Sequence, residues 1–300
     1  MACYFPLQAY YLEGGGRLGF DGSDPRVTRG VLLACGQCIG CRLARLSSMA
    51  LRCMHEAQMH GSVNNSFITL TYDDEHLPEN GSLLKRDFQL FMKRLRYELG
   101  SEKKIRFLGC GEYGSLTNRA HYHALIFNHR FDRGKAVHKG PTGECTYMSS
   151  LLSKVWPYGY CSSGDLTLKS AGYVCGYCLK KRSDNVASPL RFVVAETGEI
   201  VEREPEFALM STHPGIGASW LQKYADGVLS RDFIVRDGGK APLPKYYTRL
   251  LTRLYPLEME HVKYERELRS DERKADGVPA RLDAREVVAQ ARASMLRRGG

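Results

Sequence analysis

The tripeptide His121-Tyr122-His123 lies in an apolar run, Ala124-Leu125-Ile126-Phe127, a short way after Glu112. In an extended strand alternate residues share a face, so both imidazoles point the same way and a neighbouring strand can add a carboxylate. Two nitrogens and one oxygen, held with coordination positions left open, make a catalytic divalent-metal site. The same spacing fits two histidines on the solvated face of an edge strand, and the tripeptide alone does not separate the two. Further along, Tyr173 and Tyr177 are four residues apart and Lys180 follows by three. On a helix these share one face. A phenol of pKa about 10 becomes a useful nucleophile when a cation or a metal-bound phosphate stabilises the developing phenolate. A tyrosine stripe at this spacing also serves ordinary packing.

A third group is sulfur. Cys35-Gly-Gln-Cys38-Ile-Gly-Cys41 offers three thiolates at C-x2-C-x2-C spacing, with glycines that let the backbone turn. A closed structural zinc site needs a fourth ligand. Cys3, in a loop-like N-terminus, is the first choice, and Cys53, inside a helical pattern, is the second. An iron–sulfur cluster would use the same ligands, and reduced thiols without metal are the alternative.

Lys plus Arg number 43 against 33 Asp plus Glu, a net charge of +10 with pI about 9.1. Such a balance suits a protein that meets a polyanion, nucleic acid first, while a basic but highly soluble enzyme is the competing reading. With 43% apolar and 25% charged residues and no apolar run near the roughly 20 residues of a membrane span, no membrane partner is expected. The start, Met1-Ala2-Cys3-Tyr4-Phe5-Pro6, lacks the basic and apolar regions of a secretory signal. An intracellular chain with ten cysteines fits metal ligation or buried thiols better than a disulfide framework.

The elements that must position these groups follow from periodicity. Residues 13–30 read as an irregular loop. A helix is expected over 42–60, with Leu43, Leu46, Ala50, Met54 and Ala57 at helical spacing. Ser66 to Tyr72 is β-branched and aromatic and reads as a strand. Leu84, Phe88, Phe91, Met92, Leu95 and Leu99 make an amphipathic helix. Its cations include Lys93, Arg94 and Arg96, and Lys103 and Lys104 follow it. Residues 105–112 and 121–127 read as a hairpin that brings Glu112 to the histidines. A short helix over 147–155, a strand or irregular segment from Gly159, and a helix from about Leu168 to Lys181 come next. A hairpin around Thr197-Gly198-Glu199 and a helix at 220–224 precede two exposed helices divided by Pro279.

Taken in order, these motifs resemble the HUH endonuclease superfamily. More narrowly, the chain resembles the replication initiators of the Microviridae on their gokushovirus-like branch. The stretches that carry this are Cys35 to Arg42, Phe67-Ile-Thr-Leu-Thr-Tyr-Asp-Asp74, Cys110-Gly-Glu-Tyr-Gly114, Arg119 to Phe127, Tyr173 to Lys181, His213-Pro-Gly-Ile-Gly217 and Trp220 to Tyr224. They span roughly residues 3–250 and leave the charged tail uncovered.

The resemblance implies an α+β fold, a central antiparallel β-sheet flanked by helices on one face, with a Cys-rich N-terminal extension and a helical C-terminal tail. It divides the chain into an N-terminal extension and helix (1–61), an endonuclease core (62–185), a further part of the core (186–255) and the tail (256–300). It implies that His121, His123 and Glu112 bind Mg²⁺ or Mn²⁺ and that Tyr173 and Tyr177 are nucleophiles supported by Lys180. Phage origin DNA, a host helicase and a host DNA polymerase would be the partners, in the cytoplasm of an infected bacterium. Lys93, Arg94, Arg96, Lys103, Lys104 and Lys181 would grip DNA phosphates. Related two-tyrosine initiators often carry a lysine three residues after each tyrosine. Here Gly176 stands at that position after Tyr173, which favours Tyr177 as the leading nucleophile. The reading from a different class is a non-catalytic, zinc-stabilised nucleic-acid-binding protein.

Overall fold

The computed structural model describes residues 3–114, 117–139, 144–180, 190–193, 198–236, 238–271 and 277–298. They fall in two compact units, residues 1–45 with 252–300 and residues 46–251.

The first unit opens with a hairpin of β1 (Leu7–Leu12) and β2 (Val27–Leu33) in antiparallel register. The loop expected over 13–30 therefore ends earlier. Val27-Thr-Arg-Gly30 is strand because Leu7 to Leu12, a segment with no strand expectation of its own, pairs with it. The knuckle then leads into α1 (Ile39–Met59), which crosses from the first unit into the second.

The second unit is built on β3 (Asn65–Tyr72), β4 (Arg106–Tyr113), β5 (Ala120–Phe127), β6 (Ala136–Lys139), β7 (Cys145–Tyr147), β8 (Gly159–Asp165) and a later strand, with α2 (Lys85–Leu99), α3 (Ser150–Val155) and α4 (Leu168–Lys180) between them. A small hairpin of β9 (Leu190–Val193) and β10 (Ile200–Arg203) follows, and the expected turn there lies partly outside the described residues. Next come β11 (Phe207–Met210), α5 (Ala218–Lys223), α6 (Ala225–Leu229), the hairpin of β12 (Phe233–Arg236) and β13 (Gly239–Pro242), and α7 (Lys245–Leu254). The tail is α8 (Pro256–Asp271) and α9 (Pro279–Arg298), with Pro279 at a first helical position, which needs no backbone N–H. No helix among the described residues is long and apolar enough to cross a membrane.

The central sheet has seven strands in the order β11-β4-β5-β3-β8-β7-β6, every pair antiparallel. The fold class expected from the sequence holds, but the helical cover extends to both faces. One face carries Ile68, Leu70 and Tyr72 of β3 with Tyr122, Ala124 and Ile126 of β5, packed under Phe88, Phe91 and Leu95 of α2 and Leu152 and Val155 of α3. The other carries Leu108 and Cys110 of β4 with Leu125 and Phe127 of β5, packed under Ala50, Cys53 and Ala57 of α1 and Ala171, Val174 and Cys175 of α4. The short helix expected over 147–155 begins only at Ser150, where the Ser149 side chain accepts from the Leu152 amide; β7 occupies the residues before it.

Gly109 explains how α2 lies so close to β4, and Gly111 makes room for the Phe207 ring of β11. A Cβ at Gly109 would stand 2.5 Å from Phe88 Cζ, and one at Gly111 would stand 2.8 Å from Phe207. The rings fill the space that side chains on this face of β4 would need. Gly109→Ala is expected to cost about 1–3 kcal/mol by overpacking, read as a lower midpoint in denaturant melts. Gly172→Ala in α4, where a Cβ meets nothing within 4 Å, should be neutral or stabilising in the same assay.

Candidate functional site

Register brings the site together. Glu112 pairs with His121, Cys110 with His123, and on the other flank Thr69 pairs with His123. Cross-strand partners project to the same face, so Glu112, both histidines and Thr69 meet on the α4 side of the sheet. The alternation turns Tyr122 to the opposite side. There its buried hydroxyl donates to the Leu84 carbonyl at 2.9 Å and lies 3.1 Å from the Leu84 amide, which holds the start of α2.

Within the site, Glu112 Oε1 is 2.9 Å from His121 Nε2 and 3.1 Å from His123 Nε2. The ligand atoms of all three residues lie within 4.8 Å of one another. His121 Nδ1 is 2.9 Å from the Arg119 carbonyl, which can only accept, so that nitrogen carries the proton and leaves Nε2 for the site. Thr69 Oγ1 lies 2.9 Å from His123 Nδ1 and can fix the same tautomer there. Phe67 stacks against the His123 ring at 5.6 Å.

Burial works against the Glu112 carboxylate, yet the His121 and His123 rings, which donate to it whenever Nε2 also carries a proton, outweigh burial and hold its pKa below the ordinary value. Burial likewise opposes a charge on His121, but Glu112 and the Arg119 carbonyl prevail and raise its pKa. His123 is more deeply buried, and its pKa falls. Glu112 Oε2 is buried without a hydrogen-bond partner. Two imidazole nitrogens and one carboxylate oxygen gathered within 4.8 Å, on a carboxylate whose second oxygen is unsatisfied, suit a divalent cation.

The tyrosine helix lies on the same face. Tyr173 is 45% exposed, and its hydroxyl stands 3.4 Å from His123 Nε2, with the rings edge to face at 5.1 Å. The backbone of Tyr177 and Lys180 continues α4, but their side chains, and all of Lys181, lie outside the described residues. A Cβ at Gly176 would meet only Leu46 Cδ1 at an ordinary 3.7 Å, so packing does not demand glycine there.

The basic set is placed elsewhere. Lys93, Arg94 and Arg96 belong to α2, on the far face of the sheet from Glu112 and the histidines. Arg94 donates to the Tyr158 hydroxyl at 2.8 Å and lies over its ring, and Arg96 lies over Phe107. Lys103 and Lys104 are exposed in the loop before β4.

In the first unit, the sulfurs of Cys3, Cys35, Cys38 and Cys41 also lie within 4.8 Å of one another. Amides point at them: Cys35 N–H at Cys3 Sγ (3.2 Å), Cys38 N–H at Cys35 Sγ (3.4 Å), and the Tyr4 and Cys41 amides at Cys38 Sγ (3.5 Å each). Burial disfavours the Cys38 thiolate, but these amides bring its pKa down to about 6, whereas burial pushes Cys41 up to about 12. The first choice of fourth ligand, Cys3, joins the knuckle; Cys53 sits in the core of the other unit.

The sequence does not single out Thr69 or the Arg119 carbonyl. The alternation of Phe67-Ile-Thr69 beside an apolar strand is the available signal, but only pairing shows which threonine meets His123. Thr69→Val should weaken Mn²⁺ binding by about 10- to 100-fold, measured by calorimetry, with little change in melting temperature.

A family model described as replication-associated protein, of the ORF2 type, matches residues 65–182, the span from β3 to just past α4. The replication-associated protein VP4 of Bdellovibrio phage phiMH2K is 33% identical over 254 residues, covering 82% of this chain and 76% of that protein. The replication-associated protein ORF2 of Spiroplasma virus 4 is 28% identical over 289 residues, covering 89% of this chain and 86% of that protein. The replication-associated protein ORF4 of Chlamydia phage 1 is 29% identical over 237 residues, covering 76% of this chain and 55% of that protein. No solved structure matches. Identity of this extent, across the strands and helix that build the site, shows that the chain belongs to the replication-associated proteins of Microviridae-like phages.

Proposed function

We propose that the protein initiates rolling-circle replication as a metal-dependent, site-specific single-strand DNA endonuclease and strand-transferase of the HUH, two-tyrosine type. The observation that carries this reading is the Tyr173 hydroxyl beside His123, at the Glu112–His121–His123 ligand set, in a relative of proteins named as replication-associated. The chemistry is assigned to residues 62–185.

Glu112, His121 and His123 would hold Mg²⁺ or Mn²⁺, which when bound polarises the scissile phosphate. A tyrosine oxygen attacks phosphorus. The new bond joins that oxygen to phosphorus, the P–O3′ bond breaks, and the phenolic proton leaves to solvent as the departing 3′ oxygen takes one up. The products are a 5′-phosphotyrosyl enzyme and a free 3′-OH for a host polymerase, with a host helicase opening the duplex ahead. Because one phosphoester replaces another, a later 3′-OH can attack the tyrosyl ester and close a single-stranded circle without a nucleotide cofactor.

Tyr173 and Tyr177, one helical turn apart, would alternate in this role. The lysine three residues after Tyr177 in sequence favours Tyr177 as the leading nucleophile, and the placement of Tyr173 supports a direct part for it too. Lys180 and Lys181 would offset phosphate charge. Lys93, Arg94, Arg96, Lys103 and Lys104, across the sheet, would grip DNA away from the cut. The work would be done in the cytoplasm of the infected bacterium.

The four cysteines would hold a structural Zn²⁺. Tetrahedral Zn–S bonds of about 2.3 Å put sulfurs about 3.8 Å apart, close to the Cys3–Cys38 separation of 4.0 Å. The ion would tie the N-terminus to the knuckle.

Incubation with single-stranded origin DNA and Mn²⁺ should yield an SDS-resistant protein–DNA adduct that vanishes with EDTA, in His123→Ala and in the Tyr173→Phe/Tyr177→Phe double variant. Absence of an adduct with every oligonucleotide tiling the phage genome would instead favour the non-catalytic binding protein. For the cysteines, elemental analysis of purified protein should find about one zinc per chain, lost in Cys38→Ser together with a lower melting temperature. A metal-free protein that Cys38→Ser leaves unaltered would overturn the zinc assignment.

A further inference from the structure

The face that carries the histidines continues past them. Glu112 of β4, His121 of β5, Thr71 of β3 and Tyr160 of β8 form one row across four adjacent strands. The neighbour in sequence sets the direction: Cys161 pairs with Leu70, packs with the α2 and α3 side of the core, and lies 3.5 Å from Ser153 of α3. Alternation therefore turns Tyr160 to the histidine side. With strands about 4.8 Å apart, Tyr160 stands about 10 Å along the sheet from His121, a reach of one or two nucleotides of an extended strand.

Tyr160 is 72% exposed, although β8 is an interior strand between β3 and β7. Among the described residues, α4 covers β4, β5 and β11, while α3 covers β8 from the other side. Around the ring this side of the sheet offers mainly hydroxyls and glycine, Thr69 and Thr71 on β3 and Ser162 and Gly164 on β8, all partly exposed, with Phe67 beyond them stacked on His123 and edge-on to Tyr173. A protein partner would need an apolar patch, which this is not. A single ring among hydroxyls, in line with a proposed phosphate site and in a chain of net charge +10, suits unpaired DNA: the ring takes a base, and the hydroxyls take backbone oxygens.

We propose that Tyr160 is the stacking platform that holds a base of single-stranded DNA next to the phosphate at the Glu112–His121–His123 site. The proposal rests on the nicking reading for what happens to that phosphate, but not for the binding itself. Tyr160 is a substrate-binding residue here, and its ring, not its hydroxyl, carries the role.

The test measures two things separately on the full chain. Fluorescence anisotropy with 5′-fluorescein-labelled dT12 in EDTA reads binding without chemistry. Tyr160→Ala should weaken it by about tenfold and Tyr160→Phe should leave it near the parent value, because stacking on an aromatic ring survives loss of the hydroxyl. An oligonucleotide with one abasic site, moved along the strand, should at one position weaken the parent protein as much as Tyr160→Ala does and leave Tyr160→Ala no weaker still. Equal dT12 affinity of Tyr160→Ala and the parent, or equal losses in Tyr160→Ala and Tyr160→Phe, would overturn the platform. The adduct assay with Mn²⁺ reads the other claim. A parent protein that forms adduct while Tyr160→Ala binds unchanged refutes the platform alone, whereas a tenfold binding loss with no adduct from the parent supports the platform and refutes nicking.

Discussion

Everything at the candidate site depends on the register of three antiparallel strands. Pairing Glu112 with His121 and Thr69 with His123 sets two imidazoles, a carboxylate and a hydroxyl on one face. A slip of one residue would turn all of one strand's groups to the other side of the sheet. Tyr122 resists that slip. It is fully buried among Tyr72, Phe88 and Trp156, and its hydroxyl is tied to the backbone of Leu84, so exchanging it with His121 or His123 would bury an imidazole in an aromatic core and expose a tyrosine that holds α2. The histidine–tyrosine–histidine alternation is one physical device with a chemical face and a packing face.

The two faces divide the labour. On the α2 side, Gly109 and Gly111 let Phe88 and Phe207 lie directly on β4, giving a dense and apolar layer. On the α4 side, small residues of α1 and α4, Ala50, Ala57, Ala171 and Cys175, pack against β4 and β5, so the tyrosine helix comes down close enough for Tyr173 to reach His123. The face is closed over β4 and β5 by α4, while β8 keeps Tyr160 exposed. A covered half carries the Glu112–His121–His123 set, and an open half lies beside it.

Much of this was legible in the chain. β-branched and aromatic content marked β3 and apolar runs with a turn between them marked β4 and β5, strands buried on both faces, while helical spacing marked α1, α2 and α4. Glu112, His121 and His123 were readable as one group because a short turn joins their strands. The first hairpin was not readable: Leu7 to Leu12 and Val27 to Leu33 bury little, so their strand character comes from each other and not from a pattern within either. The cations of α2 were readable as a set, but not their side of the sheet, which depends on how the chain crosses from β3 into α2 and back into β4.

The sequence by itself determined the residue types, their order and their local periodicity, hence the sheet class, the histidine pair, the tyrosine helix and the sulfur knuckle. Those follow from interactions between residues near in the chain. The tertiary structure alone decided that Thr69 meets His123, that Arg94 is occupied by Tyr158, and that Tyr160 shares a row with Glu112. Each is a contact between distant segments, set by strand pairing and helix packing, and no local pattern encodes which of several equivalent side chains will meet.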